Sequence, residues 1–158
     1  MPKIERKLFA TYIEAQTSVP SYVLLGTDLE EFNIEMNANV IRTANILGES
    51  SISIDKYEKT ASIEPYKAES GNDLFTWLKS IIDDDLTLSD LETNIVNVDL
   101  FGTETAGAFP AIKESCIVEV ISYGGNTEGF QIPFNVHLTG AKVKGTFNPT
   151  TKAFTPAT

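Results

Sequence analysis

The sequence is short of the side chains that carry most enzyme and metal chemistry. Its 158 residues include one cysteine, Cys116, one histidine, His137, and one tryptophan, Trp77. A single cysteine forbids an internal disulfide and fits a reducing compartment. One histidine and one cysteine are too few for a zinc site. A Cys–His dyad or a Ser–His–Asp triad would have to use His137. Both Cys116 and His137 fall inside expected strands, without the exposed, electropositive setting that activates a thiolate. No nucleophile-elbow motif surrounds a serine, and Gly124-Gly125 opens no helix, so it is no phosphate loop. Asp83, Asp84 and Asp85, with Asp90 and Glu92 nearby, lack EF-hand spacing and read as a solvated helix end. The expectation is a protein without catalytic residues, metal or cofactor.

Positive charge is also scarce. Twelve lysines and arginines face 22 acids, for a net charge of −10, which argues against affinity for phosphate backbones. The deficit is concentrated: Asp28 to Glu119 holds 19 of the acids and six of the bases. Such a surface suits simple solubility, and equally a surface that must pass close to DNA without adhering. No apolar run reaches the ~18 residues of a membrane span. The first sixteen residues have bases but no apolar core behind them, so no signal peptide is expected. With 42% apolar residues, the chain reads as one domain, 1–158, long enough for a real core.

What is present is mostly period two. From Phe130 to Leu138 the even positions (Phe130, Ile132, Phe134, Val136, Leu138) are apolar and the odd ones (Gln131, Pro133, Asn135, His137) are not. This predicts a strand with a core face and a wet face, the latter continuing to Thr139. The phase flips after Gly140, which predicts a bulge, corner or turn there. Phe32, Ile34, Met36, Ala38 and Val40 alternate in the same way, placing Glu31, Asn33, Glu35 and Asn37 on a second wet face. Further strands are expected over 7–15, 22–25, 93–102, 115–125 and 141–156, and two short extended segments over 51–57 and 61–66, with "SYGGNTEG" as a hairpin loop. One helix is expected over 72–83, where Leu74, Phe75, Leu78, Ile81 and Ile82 form a single apolar stripe. Ser70, Asn72 and Asp73 compete as its cap, and three aspartates end it. Residues 41–68 read as a long extended loop with apolar members (Ile41, Ile46, Leu47, Ile52, Ile54, Tyr57) that need something to pack on. The fold class is mainly β, seven to nine strands as a sandwich or barrel, with one flanking helix and this loop.

The order of these features resembles the major tail (tail tube) proteins of long-tailed bacteriophages and prophages, from about Ser21 to Pro156. The resemblance rests on "SYVLLGTDLEEFNIEMN", on "NILGE" at 45–49 followed by Tyr57 and Pro65-Tyr66, and on the closing "IPF…G…GTF…FTP". It implies a β-sandwich whose subunits form hexameric rings stacked into a hollow tube, the conduit for DNA ejection. It implies residence in the virion after synthesis in the bacterial cytoplasm. The implied partners are the protein itself and tape-measure, tail-tip and tail-terminator proteins; DNA would pass without specific binding, and no membrane is involved. The loop would then be an inter-subunit arm using Ile41, Asn45, Ile46, Leu47, Gly48, Ile52, Ile54 and Tyr57. Glu31, Asn33, Glu35, Asn37, Gln131, Asn135, His137 and Thr139 would line the lumen or an interface. Two other readings share the features: the inner tube of a contractile tail or secretion machine, and a stand-alone β-sandwich that binds a carbohydrate or receptor. A lone tryptophan placed on the helix weakens a sugar-stacking site.

Overall fold

The computed structural model describes residues 2–27 and 29–157. Twelve strands and one α-helix are defined among them: β1 (Phe9–Ala15), β2 (Ser21–Leu25), β3 (Ile34–Glu35), β4 (Ala38–Ala44), β5 (Ser50–Tyr57), β6 (Thr60–Ile63), α1 (Asp73–Asp84), β7 (Glu92–Asp99), β8 (Phe109–Val120), β9 (Gly124–Asn126), β10 (Gly129–Gln131), β11 (Phe134–Asn148) and β12 (Ala153–Pro156). Eight strands make one antiparallel sheet in the order β2-β1-β7-β8-β11-β6-β3, with β12 also on β11. The sheet curls into a half-barrel. Mainly β with one helix is therefore the observed class.

The long strands β8 and β11 are the spine of this sheet. Along the first half of β11, Phe134, Val136 and Leu138 bury against Val118, Cys116 and the helix; Asn135 and His137 point the other way. At Gly140 the ladder slips, so that Leu138 faces Cys116 but Lys142 faces Glu114. Gly140 sits at φ +92°, a conformation that costs other residues more than glycine. The expected phase flip is thus a bulge inside one continuous strand. Beyond it the buried residue is Phe147, on the opposite face.

The sheet consequently has a core on each face, offset along its strands. Adjacent residues divide between them: Ile13 and Ile95 join the helix-side core, Tyr12 and Val96 the other. The second core is closed by β12. Phe147 stacks against Tyr12 with centroids 4.5 Å apart and meets Tyr22 edge-on at 5.5 Å. Backbone comes so close here that a Cβ on Gly145 would lie 2.2 Å from the Thr155 carbonyl oxygen.

The helix forms where its apolar stripe is expected. Asn72 is the cap, its Oδ1 accepting from the Leu74 amide at 2.9 Å. Asp85 ends the helix in the left-handed region at φ +47°. Leu74, Trp77, Leu78 and Ile81 are buried against the sheet, at roughly 1.5–3 kcal/mol each, while Phe75 and Ile82 are half-buried. Trp77 belongs to the core, although the expected stripe does not include it.

Two expectations fail. The alternation from Phe32 to Val40 is not one strand. Only Phe32 is buried, β3 lasts two residues, and Asn37 turns the chain at φ +47°. Met36 and Val40 are exposed. Period two records two-facedness, and here the apolar side of the second piece faces away from the protomer. The segment 41–68 is extended, as expected, and its strands β5 and β6 lie close to the two extended segments, 51–57 and 61–66. It contains the β4–β5 hairpin and the sheet strand β6, whose Ala61 and Ile63 are buried. Phe130 also departs from its expected core position: Ile132 and Pro133 separate β10 from β11, and Phe130 is 40% exposed, edge-on to Phe75.

A buried ion pair sits at the bulge. Lys59 Nζ lies 2.6 Å from Glu114 Oε2, both side chains almost wholly buried. The Gly140 amide donates to the same oxygen at 3.1 Å, and the Leu138 amide donates to the Lys59 carbonyl at 2.9 Å. Glu114→Ala strands a buried ammonium, so unfolding free energy should fall by roughly 3–5 kcal/mol. In urea melts, the double replacement Lys59→Met with Glu114→Leu should recover most of that loss; equal loss in both variants would contradict this role.

Candidate functional site

The β4–β5 hairpin is an arm. Every residue from Ala38 to Ala44 and from Ser50 to Tyr57 is exposed, and the two strands pair only with each other. At ~3.3 Å per residue, strands of seven and eight residues give a ribbon of roughly 25 Å. Its register separates two faces. Val40 lies opposite Ile54, Arg42 opposite Ile52, and Ala38 opposite Tyr57. A bulge between Asn39 and Val40 on one strand, with Asp55 extra on the other, keeps Tyr57 on the side of Ile52 and Ile54. The other face is polar: Asn39 donates to Asp55 at 2.7 Å, and Thr43 and Ser51 share a 2.6 Å hydrogen bond. The arm is therefore amphipathic, and its apolar face has no cover in its own protomer.

The tip is held by Asn45, whose Oδ1 accepts from the Leu47 and Glu49 amides at 2.9 and 3.0 Å, with Gly48 at φ +80°. This turn presents Ile46 and Leu47 at 102% and 77% exposure. The candidates Ile41, Asn45, Ile46, Leu47, Gly48, Ile52, Ile54 and Tyr57 thus all lie on the arm, although Ile41 is on its polar face. Val40 and Arg42 were missed. Val40 is the even-numbered end of an alternation that reads as core-facing, and a solitary arginine carries no pattern.

The arm's root is tied down. Asn37 Nδ2 donates to the Glu58 carbonyl and to Thr60 Oγ1, both at 3.0 Å, and the Glu58 amide returns to the Asn37 carbonyl. The next residue, Lys59, enters the buried ion pair.

The polar candidates do not form one set. Asn135, His137 and Thr139 share the outer face of β11. Glu35 is in line with them, paired with Thr60, which pairs with His137. Glu31 and Asn33 precede β3 and bond to each other at 2.8 Å. Gln131 lies on β10 beyond the break. The structure adds what the alternation in single strands concealed, a polar belt across five strands. Ser62 donates to Asn135 at 2.8 Å, Ser115 to Asn94 at 3.3 Å, and Asn94 to Glu14 at 3.3 Å. His137 Nε2 lies 2.8 Å from Glu119 Oε1. That hydrogen bond to His137 outweighs the opposing effect of burial and, aided by the His137 charge and by Asn135, holds the Glu119 carboxyl below the usual glutamate value. The belt carries Glu14, Glu92 and Glu119, with His137 as its basic member.

The structure divides the Cys–His pair. Cys116 faces Leu138 in the helix-side core, whereas His137 faces Ile117 on the outer side. Burial, and secondarily the Glu114 charge, push the Cys116 thiol up to about 12. Asp83, Asp84 and Asp85 are exposed, with Asp83 paired to Lys79. No cluster of three or more His, Cys, Asp or Glu with metal-holding geometry occurs among the described residues. No helix among them is long and apolar enough to cross a membrane.

No family model matches the sequence, and no curated protein matches it. A solved structure with similar architecture is the sheath/tube terminator of an extracellular contractile injection system, PVC, in its extended state. The TM-score is 0.53 at 10% identity, over 91% of this chain and 97% of that one. At this identity the likeness is one of fold: the chain has a tail-type fold over nearly its whole length.

Because the thiol is buried and its pKa raised, a colourimetric disulfide reagent at pH 8 should leave Cys116 unlabelled in native protein. One equivalent should react in denaturant. Rapid native labelling would contradict the placement of this strand.

Proposed function

We propose that this protein is a structural subunit of a phage tail or tail-like particle, assembling with copies of itself into rings that stack as a tube. One observation carries the reading: the arm is an ordered, two-faced hairpin whose apolar side touches nothing in its own protomer. A patch of isoleucines, leucine and tyrosine kept in water is unfavourable unless a partner covers it. Head-to-tail contacts close into rings or continue as stacks according to their rotation. The open edge at β2 and the two-residue edge strand β3 leave the half-barrel free to continue into neighbouring copies. The belt bearing Glu14, Glu92 and Glu119 would face the lumen, where carboxylates repel phosphate and let DNA slide. The reading assigns the chain no catalysis and no cofactor. It makes tape-measure, tail-tip and terminator proteins the partners along the tube and at its ends, and places the assembled product in the virion tail after synthesis in the host cytoplasm.

A second reading has its own support. The similar solved structure is a terminator, not a tube subunit, so a single capping ring is the alternative. Negative-stain electron microscopy with light scattering separates the two: uniform hollow tubes support the first, and unstacked rings the second. A protein that stays monomeric even with tail-tip or tape-measure components present would contradict both.

The arm itself is tested by trimming. Excision of Ile41 to Ser62 would remove most of β6 and with it part of the core, so the cut must be narrower. Asn39 faces Lys56, and joining them through an Asn-Gly turn in place of 40–55 retains the root. The trimmed protein should melt within a few degrees of the parent, because it loses no buried side chain. It should form no rings or tubes. Normal assembly would sink the arm's assigned role.

A further inference from the structure

The arm needs a receiving surface, and the same chain carries one that fits. At one end of the sheet, β8 outruns its neighbour: the last β7 pair is Glu92 opposite Ile117, leaving Val118 to Val120 without a β7 partner. Beside this uncovered edge lies a cavity of ≈ 640 Å³ between the strand and the C-terminal end of α1. Ile82, Leu86, Leu91, Ile117, Ile121 and Tyr123 contribute apolar surface, and Asp85 and Glu119 lie among the lining residues. Ile121 and Tyr123 are 53% and 64% exposed.

We propose that this groove is the seat of the arm of a second copy. The inference rests on the ring-forming reading above and names the surface that reading leaves open. Three matches support it. The groove is apolar, and the arm tip offers Ile46 and Leu47 with no cover of their own. The groove's wall is a strand edge, and each outer edge of the hairpin is also unpaired, so the arm can add as a strand while its side chains fill the cavity. The charges are complementary: Arg42, on the arm's apolar face, forms no ion pair among the described residues, while the groove holds Asp85, which has no ion pair among them either, and Glu119, which is bonded to His137. A second cavity, ≈ 470 Å³ and lined by Leu24 to Thr27 and Leu29 to Phe32, is smaller, and its acids Glu30 and Glu31 are offset by Arg6 and Lys7, so it offers Arg42 no net negative charge. Within one protomer the arm does not fold back, since all its strand residues are exposed. Arm and groove on one chain, unable to satisfy each other, form the two halves of a head-to-tail contact.

The test is a crosslink between copies. Leu47→Cys combined with Ser122→Cys, both exposed sites, should give ladders of disulfide-linked dimers, trimers and higher species on mild oxidation of assembled protein. Either single variant should give no ladder. Ile121→Asp, at an exposed position, should leave the monomer folded by circular dichroism and raise the critical assembly concentration roughly tenfold or more. Arg42→Asp should weaken assembly similarly, with partial recovery on adding Asp85→Arg. A double-cysteine variant that assembles as the parent does while giving no ladder overturns the groove assignment and leaves the ring reading standing. So does a Leu47→Cys crosslink to Thr27→Cys in the second cavity, or Ile121→Asp that assembles normally; the groove would then serve another protein. Parent protein that never assembles, even with tail components, overturns the ring reading and this inference together.

Discussion

The Lys59–Glu114 pair is the constraint on which the rest of the structure depends. Taking both charges out of water is costly, and the pair's attraction alone does not guarantee a net gain. Its effect here is positional. Glu114 accepts from both Lys59 and the Gly140 amide, so it holds the bulge at the step where the β8–β11 register slips. That slip divides β11 into a half that serves the helix-side core and a half that serves the second core. Lys59 is also the first residue beyond the arm's root. One buried carboxylate thereby ties together the bulge, both cores and the point from which the arm leaves the sheet.

The arm and the body obey different energetics. The body's stability comes from buried aliphatic and aromatic side chains on two faces of one sheet. The arm has backbone hydrogen bonds and a well-formed tip but buries nothing, and a two-stranded hairpin alone is marginal in water. Its geometry within the protomer is set by its root at Asn37 and Glu58, next to Lys59. The free energy of covering Val40, Ile46, Leu47, Ile52, Ile54 and Tyr57 is available only between molecules. The proposed ring or tube is a setting in which that surface would be covered.

Much of the fold is legible in the sequence, because burial on one face leaves period two and a helix leaves period 3.6. The even face of β11 from Phe134 to Leu138, the phase change at Gly140 and the apolar stripe of α1 are each visible in the sequence. The failures share a cause. Alternation reports that a strand has two unlike faces, but not what covers the apolar one. Met36 and Val40 therefore read as core when they belong to the arm and its approach. Phe130 reads as core because Ile132-Pro133 interrupts the strand without interrupting the alternation. The second core is hidden because Val96, Val98 and Phe147 lie on a face that elsewhere is wet. The polar belt is illegible because it exists only across strands far apart in sequence, such as Glu14, Asn94 and Ser115. The arm candidates fall together on one hairpin, because an apolar run of continuous sequence stays contiguous in space, while the wet-face candidates divide among four places, Asn37 being at the arm's root.

Amide hydrogen exchange, read residue by residue in dilute protomer and in assembled material, tests most directly whether the arm joins one subunit to the next. Amides across residues 39–57 should exchange within seconds to minutes in the protomer and slow by orders of magnitude on assembly. Amides of β7, β8 and β11 should be slow in both. An arm that exchanges equally fast in the two states would contradict its role as the joint between subunits.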